Sequence, residues 1–169
     1  AGAYPDSQMD RGSHVVDFAL YAHRGSLMDG DVVAVARAYN AKPVLPGLLR
    51  EGCDTSAWEC PVRVVQDSKA RYSQVVLDTV KMAEPRLDGG KEGKSIICRL
   101  YEAFGTRSSV TLECDLPVKR VSITDLLEQD HVDETRALNE AGALSSDGRL
   151  TAVLHLRAFQ FMTVRIELA

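Results

Sequence analysis

Residues 94–116, Lys94-Ser95-Ile96-Ile97-Cys98-Arg99-Leu100-Tyr101-Glu102-Ala103-Phe104-Gly105-Thr106-Arg107-Ser108-Ser109-Val110-Thr111-Leu112-Glu113-Cys114-Asp115-Leu116, alternate apolar and polar side chains on either side of a polar break. Ile96, Cys98 and Leu100 fall in phase before the break, and Val110, Leu112 and Cys114 fall in phase after it. A period of two puts every second side chain on one face, which marks two strands that each bury one side. Gly105-Thr106-Arg107-Ser108 has turn chemistry, so the pattern predicts a hairpin over Ile96 to Cys114.

Working outward, short β signals recur at Gln74 to Met82, Val118 to Glu128, Arg149 to Leu156 and Phe159 to Leu168, beside Lys94 to Ala103 and Ser109 to Leu116. Pro117 marks a strand boundary, because proline cannot donate to a central ladder. Gln129 to Ser146 is polar with interleaved Ala and Leu and reads as a loop carrying a short helix. Toward the N-terminus, His14 to Ala22 is rich in β-branched and aromatic residues, which predicts a strand ending at His23-Arg24-Gly25. Between Asp29 and Asn40, Val32, Val33, Val35, Ala36 and Tyr39 make a helical stripe, with Ser26, Asp29 or Asp31 to cap it and Asn40 and Pro43 to close it. Residues 43–72 hold three prolines, two glycines and the single tryptophan, Trp58, and read as an irregular crossing segment. Serial strands without βαβ alternation predict a mainly β chain built as an antiparallel sandwich.

With 169 residues, 45% of them hydrophobic, the chain is long enough to bury one core and part of another. Its formal net charge is -4 and its Lys and Arg are scattered, which argues against nucleic acid or an anionic membrane as partner. Apolar runs such as Val32 to Ala36 fall far short of the roughly 20 residues of a membrane span. The opening Ala1-Gly2-Ala3-Tyr4-Pro5-Asp6 lacks the pattern of a secretory signal and reads as a cut inside a longer protein. Of the four cysteines, Cys98 and Cys114 share the apolar strand phase, so buried free thiols are expected. A Cys98 to Cys114 or Cys53 to Cys60 disulfide is the alternative, and the disulfide state of Cys53, Cys60, Cys98 and Cys114 stays open.

No chemical constellation stands out. His14, His23, His131 and His155 lack metal-ligand spacing, and no Gly-x-Ser-x-Gly, phosphate loop or dinucleotide fingerprint occurs. Gly89-Gly90-Lys91-Glu92-Gly93-Lys94 lacks the spacing of a phosphate loop and reads as a hairpin connection. Asp10, Asp17, Asp29, Asp31, Asp125 and Glu128 read as turn and cap carboxylates, although a glycosidase would need two carboxylates facing each other across a sugar. No catalytic, cofactor-binding or metal residue is therefore assigned. Trp58, in an irregular Cys-flanked stretch, is the best candidate for a sugar-stacking ring.

Several runs in order carry a family resemblance. They are Pro5 to His14 with Phe18-Ala19-Leu20-Tyr21-Ala22-His23-Arg24-Gly25, then Asn40 to Leu45, Val75-Val76-Leu77-Asp78-Thr79-Val80-Lys81-Met82-Ala83-Glu84, Arg99-Leu100-Tyr101-Glu102-Ala103-Phe104-Gly105, Asp125-Leu126-Leu127-Glu128, and Phe159 to Leu168. Together they resemble the C-terminal portion of the glycoside hydrolase family 38 α-mannosidases, closest to the cytosolic and vacuolar subgroup. Val16 departs from that pattern where an aromatic is usual, as does Ala22 where a proline precedes the histidine.

The resemblance implies three segments. Residues 1–45 would end a galactose-mutarotase-like β-supersandwich with a linker helix, 46–72 would be the crossing segment, and 73–169 a C-terminal β-sandwich. It also implies a retaining, zinc-dependent enzyme that removes α-linked mannose, whose zinc (or cobalt) site lies in an N-terminal β/α barrel preceding this chain. The chain's role would be structural, its partners that catalytic barrel and, for the whole enzyme, a mannose-containing oligosaccharide, with a homo-oligomer as a further option. The implied location is cytoplasmic, with vacuole or lysosome as the alternative. Two other readings remain: a carbohydrate-binding module using Trp58 or exposed tyrosines, and an immunoglobulin-like interaction domain, which would include the N-terminal strand and helix in its own sandwich. If residues 1–45 instead belong to a larger domain, Val16, Phe18 and Leu20 should form an exposed apolar face.

Overall fold

The computed structural model describes residues 12–41, 60–66, 75–84, 94–140, 143–144 and 148–169. A helix, α1 (Val32–Asn40), comes first, followed by the strands β1 (Val62–Gln66), β2 (Val75–Met82), β3 (Ser95–Glu102), β4 (Ser108–Cys114) and β5 (Val118–Thr124). A second helix, α2 (Val132–Glu140), then precedes β6 (Leu150–Leu156) and β7 (Phe161–Leu168). The strands form a three-stranded sheet in the order β1-β4-β6 and a four-stranded sheet in the order β2-β3-β7-β5, with every neighbouring pair antiparallel. The core lies between the sheets. Val110, Leu112, Ala152 and Leu154 from one face meet Ile96, Cys98, Leu100, Val121, Val164 and Ile166 from the other. The chain is thus mainly β and a sandwich, as its alternating runs predict.

The expected hairpin over Ile96 to Cys114 is not formed. β3 pairs with β2 and β7, whereas β4 pairs with β1 and β6 in the opposite sheet. Gly105 to Arg107 is therefore an arch that carries the chain across the core. Alternation has the same period whether two strands pair edge to edge or face each other across a sandwich, so it cannot tell these apart. Gly105 holds φ +75 in the arch, and a Cβ there would stand 2.6 Å from the Phe159 ring. Only glycine fits both constraints.

His14 to Ala22 is not a strand. These residues carry no regular pairing, and Val15, Val16, Phe18 and Leu20 are 79 to 98% exposed. Their β propensity is real, but a strand exists only through a neighbour's hydrogen bonds. The helix falls where its stripe predicts. Asp31 takes the N-cap position without a capping hydrogen bond, while the Asp29 carboxylate accepts from the Ser26 N–H and hydroxyl one turn earlier. A bulge at Asp78 in β2 turns its carboxylate out to Arg37 of α1, at 2.8 Å.

β5 stops at Thr124 rather than running to Glu128. Asp125 to Asp130 then folds over the outer face of the four-stranded sheet, which is why β3 is buried on both sides. Arg99 donates to the Leu126 carbonyl at 3.3 Å, Arg165 to the Glu128 carbonyl at 2.9 Å and the Ser122 hydroxyl to Asp130 at 3.0 Å. β1 lies inside the stretch read as irregular. The rest of that stretch with Trp58 and Cys53, and residues 85–93 of the glycine-rich connection, lie outside the described residues, although the strands that this connection joins do pair.

Cys98 and Cys114 are buried on the core face as free thiols, and Cys60 is free and exposed. Burial pushes the Cys98 thiol up to about 12, with Cys114 and Cys60 nearby adding to the effect. Both core sulfurs therefore act as small apolar groups.

Candidate functional site

Among the described residues the titratable side chains divide into exposed groups and a few buried ones that bind backbone groups or cations. His155 projects from the exposed face of β6, and its Nδ1 lies 2.8 Å from the Ser109 hydroxyl. His23 stacks on Tyr21 with ring centroids 5.9 Å apart. His131 sits exposed before α2, where its backbone N–H donates to the Ile123 carbonyl. Asp125 accepts from the Gln129 N–H at 2.9 Å, the turn role its residue type suggests. Among the described residues no group of three or more His, Cys, Asp or Glu comes together that could hold a metal. Asp10 lies outside the described residues.

Two buried carboxylates are the strongest chemical features. Glu102 ends β3 and is 2% exposed. It accepts from the N–H groups of Phe104 (3.0 Å), Gly105 (2.7 Å) and Phe159 (3.0 Å), and from the Thr106 hydroxyl (3.1 Å). One side chain thereby clamps the β3–β4 arch to the β6–β7 turn. Burial pushes its carboxyl upward, but the N–H donors, led by that of Phe159, outweigh burial and leave it below the ordinary glutamate value. The signal was present in the sequence: Glu102 stands in phase with Ile96, Cys98 and Leu100, and a charge on an apolar face requires partners.

Glu128 holds the loop on the outer face. Its oxygens meet Lys81 Nζ at 2.9 Å, the Glu84 N–H at 2.8 Å and Arg165 Nη2 at 3.5 Å. Burial works upward here too, and Lys81, the Glu84 N–H and Arg165 together hold the carboxyl below the ordinary range. Its residue type and place in the sequence suggest a turn carboxylate. Its burial depends on Lys81 and Arg165, distant in sequence, which local composition does not reveal. Since both carboxylates are occupied by protein donors, neither has an oxygen free to attack or protonate a sugar.

A cleft remains where β5 stops short of the start of β7. One lobe, about 290 Å³, lies among Thr124, Asp125, Leu126, His131, Phe161 and Thr163. A second, about 470 Å³, continues under α2 toward Ala137, Leu138, Val153, His155 and Arg157. The two share Ile123, Glu134, Gln160 and Met162, which makes them one groove. A separate hollow of about 280 Å³ lies between α1 and the sandwich, beside Arg37, Gln66 and Val75.

Comparison with known proteins places this framework in a family. Residues 74–164 match the glycosyl hydrolases family 38 C-terminal beta sandwich domain. The chain is 32% identical over 125 residues to Alpha-mannosidase 2C1 of Homo sapiens, covering 74% of this chain and 11% of that protein. It is 29% identical over 133 residues to an Alpha-mannosidase of Saccharomyces cerevisiae, covering 73% of this chain and 11% of the yeast protein. To Alpha-mannosidase G of Dictyostelium discoideum it is 24% identical over 162 residues, covering 95% of this chain and 13% of that relative. The chain thus spans only 11 to 13% of the length of these relatives. It belongs to glycosyl hydrolase family 38, and residues 74–164 are its C-terminal β-sandwich domain.

Proposed function

We propose that the chain is the non-catalytic C-terminal β region of a retaining, zinc-dependent α-mannosidase, and that its sandwich supports a catalytic barrel elsewhere in the same protein. The observation that carries this reading is the exposed apolar run Val15, Val16, Phe18 and Leu20 beside a well-packed sandwich. Each such side chain gains roughly 1.5–3 kcal/mol on full burial, so the run is suited to be covered by a neighbouring domain. On this reading residues 1–45 finish that neighbour, a mutarotase-like supersandwich, and 46–72 cross to the sandwich of 73–169. The relatives' names, alpha-mannosidases, supply the substrate class of α-linked mannose. On this reading the zinc site lies in that barrel, and among the described residues no group of three or more His, Cys, Asp or Glu comes together that could hold a metal.

The immunoglobulin-like alternative needs the N-terminal segment within the sandwich, and residues 12–23 pair with neither sheet. The test is hydrolysis of an aryl α-mannoside, with zinc or cobalt supplied, by this chain and by a longer protein that includes it. The longer protein is expected to cleave, with retention of anomeric configuration, and this chain to be inactive. Cleavage by the chain alone, or by neither, would remove the reading.

A further inference from the structure

Three free thiols gather at the end of the sandwich where β1 begins and β4 ends. Val62 faces Cys114 across the β1–β4 ladder, and the Asp115 N–H donates to the Pro61 carbonyl at 2.9 Å just outside that pair. The pair is therefore of the non-hydrogen-bonded kind, whose Cα atoms stand only about 4.5 Å apart. Cys60 comes two residues before Val62, in phase with Val62 and Val64, whose side chains pack in the core. That position is the diagonal neighbour of Cys114. The chain bends at Pro61, which leaves Cys60 exposed at the rim while Cys114 is buried. Cys60 nonetheless lies close enough to add to the upward push on both Cys98 and Cys114.

Distance decides which thiols can join. Diagonal neighbours in an antiparallel pair have Cα atoms about 7–8 Å apart, and a disulfide spans up to roughly 6.8 Å. A shift of about 1 Å closes that gap, and Cys60 precedes the ladder, so its own backbone is not fixed by strand pairing. Cys98 belongs to the facing sheet, and packed sheets lie about 10 Å apart, beyond the reach of either other thiol without a large movement. We propose that Cys60 and Cys114 form a reversible disulfide in the presence of a peroxide, a redox-modification site that ties the edge strand β1 to β4. The Cys60 thiolate attacks one peroxide oxygen and breaks the O–O bond, giving a sulfenic acid and hydroxide. Cys114 sulfur then attacks the Cys60 sulfur, the S–O bond breaks, and the thiol proton leaves with the hydroxyl as water. The two thiols are oxidised by two electrons and the peroxide is reduced to water. Exposed Cys60 meets the oxidant, and buried Cys114 reacts only with Cys60.

The test treats this chain, folded, with a stoichiometric amount of hydrogen peroxide, then alkylates the remaining thiols and maps tryptic peptides by mass spectrometry. The peptide of residues 51–63 should be joined to that of residues 108–119, and dithiothreitol should release it. Residues 51–63 also hold Cys53, so Cys60→Ser should abolish the link and Cys53→Ser should leave it. The oxidised chain should melt roughly 5–10 °C above equally oxidised Cys60→Ser, which undergoes the same methionine oxidation without the cross-link. A link within residues 51–63, a link to residues 95–99 that carry Cys98, a link that survives Cys60→Ser, or no link at all would each overturn the proposal. So would a link that fails to raise the midpoint, because the bond would then form only by pulling β1 out of place.

Discussion

Replacing Glu102 with alanine is expected to cost the sandwich about 3 kcal/mol or more, lowering the thermal midpoint of this chain by roughly 10 °C. The carboxylate is the acceptor for three backbone N–H groups and one hydroxyl, and alanine offers them none. Those donors lie on two separate connections, the β3–β4 arch and the β6–β7 turn, so the loss would loosen one end of both sheets. Glu102→Gln should fall between, because one amide oxygen still accepts while the NH₂ faces N–H donors. Thermal unfolding followed by circular dichroism reads both. An unchanged midpoint in Glu102→Ala would show that the clamp contributes nothing to stability.

Glu128→Ala is the second large expected effect, about 3–5 kcal/mol, because it strands a cation rather than a backbone group. Arg165 has a side chain only 5% exposed, and Glu128 is the carboxylate beside it. Its Nε already lacks a hydrogen-bond partner. Removing the anion leaves a buried guanidinium with the Glu128 carbonyl alone. An Arg165→Met, Glu128→Leu double variant should recover much of the loss, since well-packed apolar pairs replace buried ion pairs at little cost. Urea denaturation would decide it, and a double variant no more stable than Glu128→Ala would contradict the account.

Acid acts through the same two groups. Glu102 and Glu128 are both held below the ordinary glutamate value of 4.5. A depressed folded-state value means that each contributes stability present above 4.5 and lost as pH falls through the lower folded value. The wild type should therefore lose stability in that window, and Glu102→Gln should lose less of it. The comparison needs only melting curves across acid pH.

Much of the sandwich was legible in the chain, because β2, β3, β4, β6 and β7 each show β-branched or alternating residues within a residue or two of their observed bounds. The partners of those strands were not. Ile96 to Cys114 reads equally well as hairpin or arch, and what separates the two is the inward carboxylate of Glu102, a feature of tertiary packing with a trace in the strand phase. β1 is only five residues long and sits among prolines and a cysteine, so composition masks it. The N-terminal run from His14 to Ala22 has strand propensity but no regular strand pairing among the described residues. Propensity states what a segment suits, not whether a neighbour is present. The groove was invisible to sequence because Thr124, Glu134 and Gln160 meet only after β5 stops and α2 turns back against β5 and β6.

The structural role is tested most directly by amide hydrogen exchange at Val15 to Leu20, measured in this chain alone and in a longer protein that includes it. In the chain alone these amides lack regular pairing and should exchange nearly as fast as an unfolded peptide. In the longer protein the account predicts strong protection, as the run pairs and buries its apolar face against the neighbouring domain. Equal, fast exchange in both would contradict it, because the exposed face would then be covered by nothing and the sandwich would not be built into the enzyme through this segment.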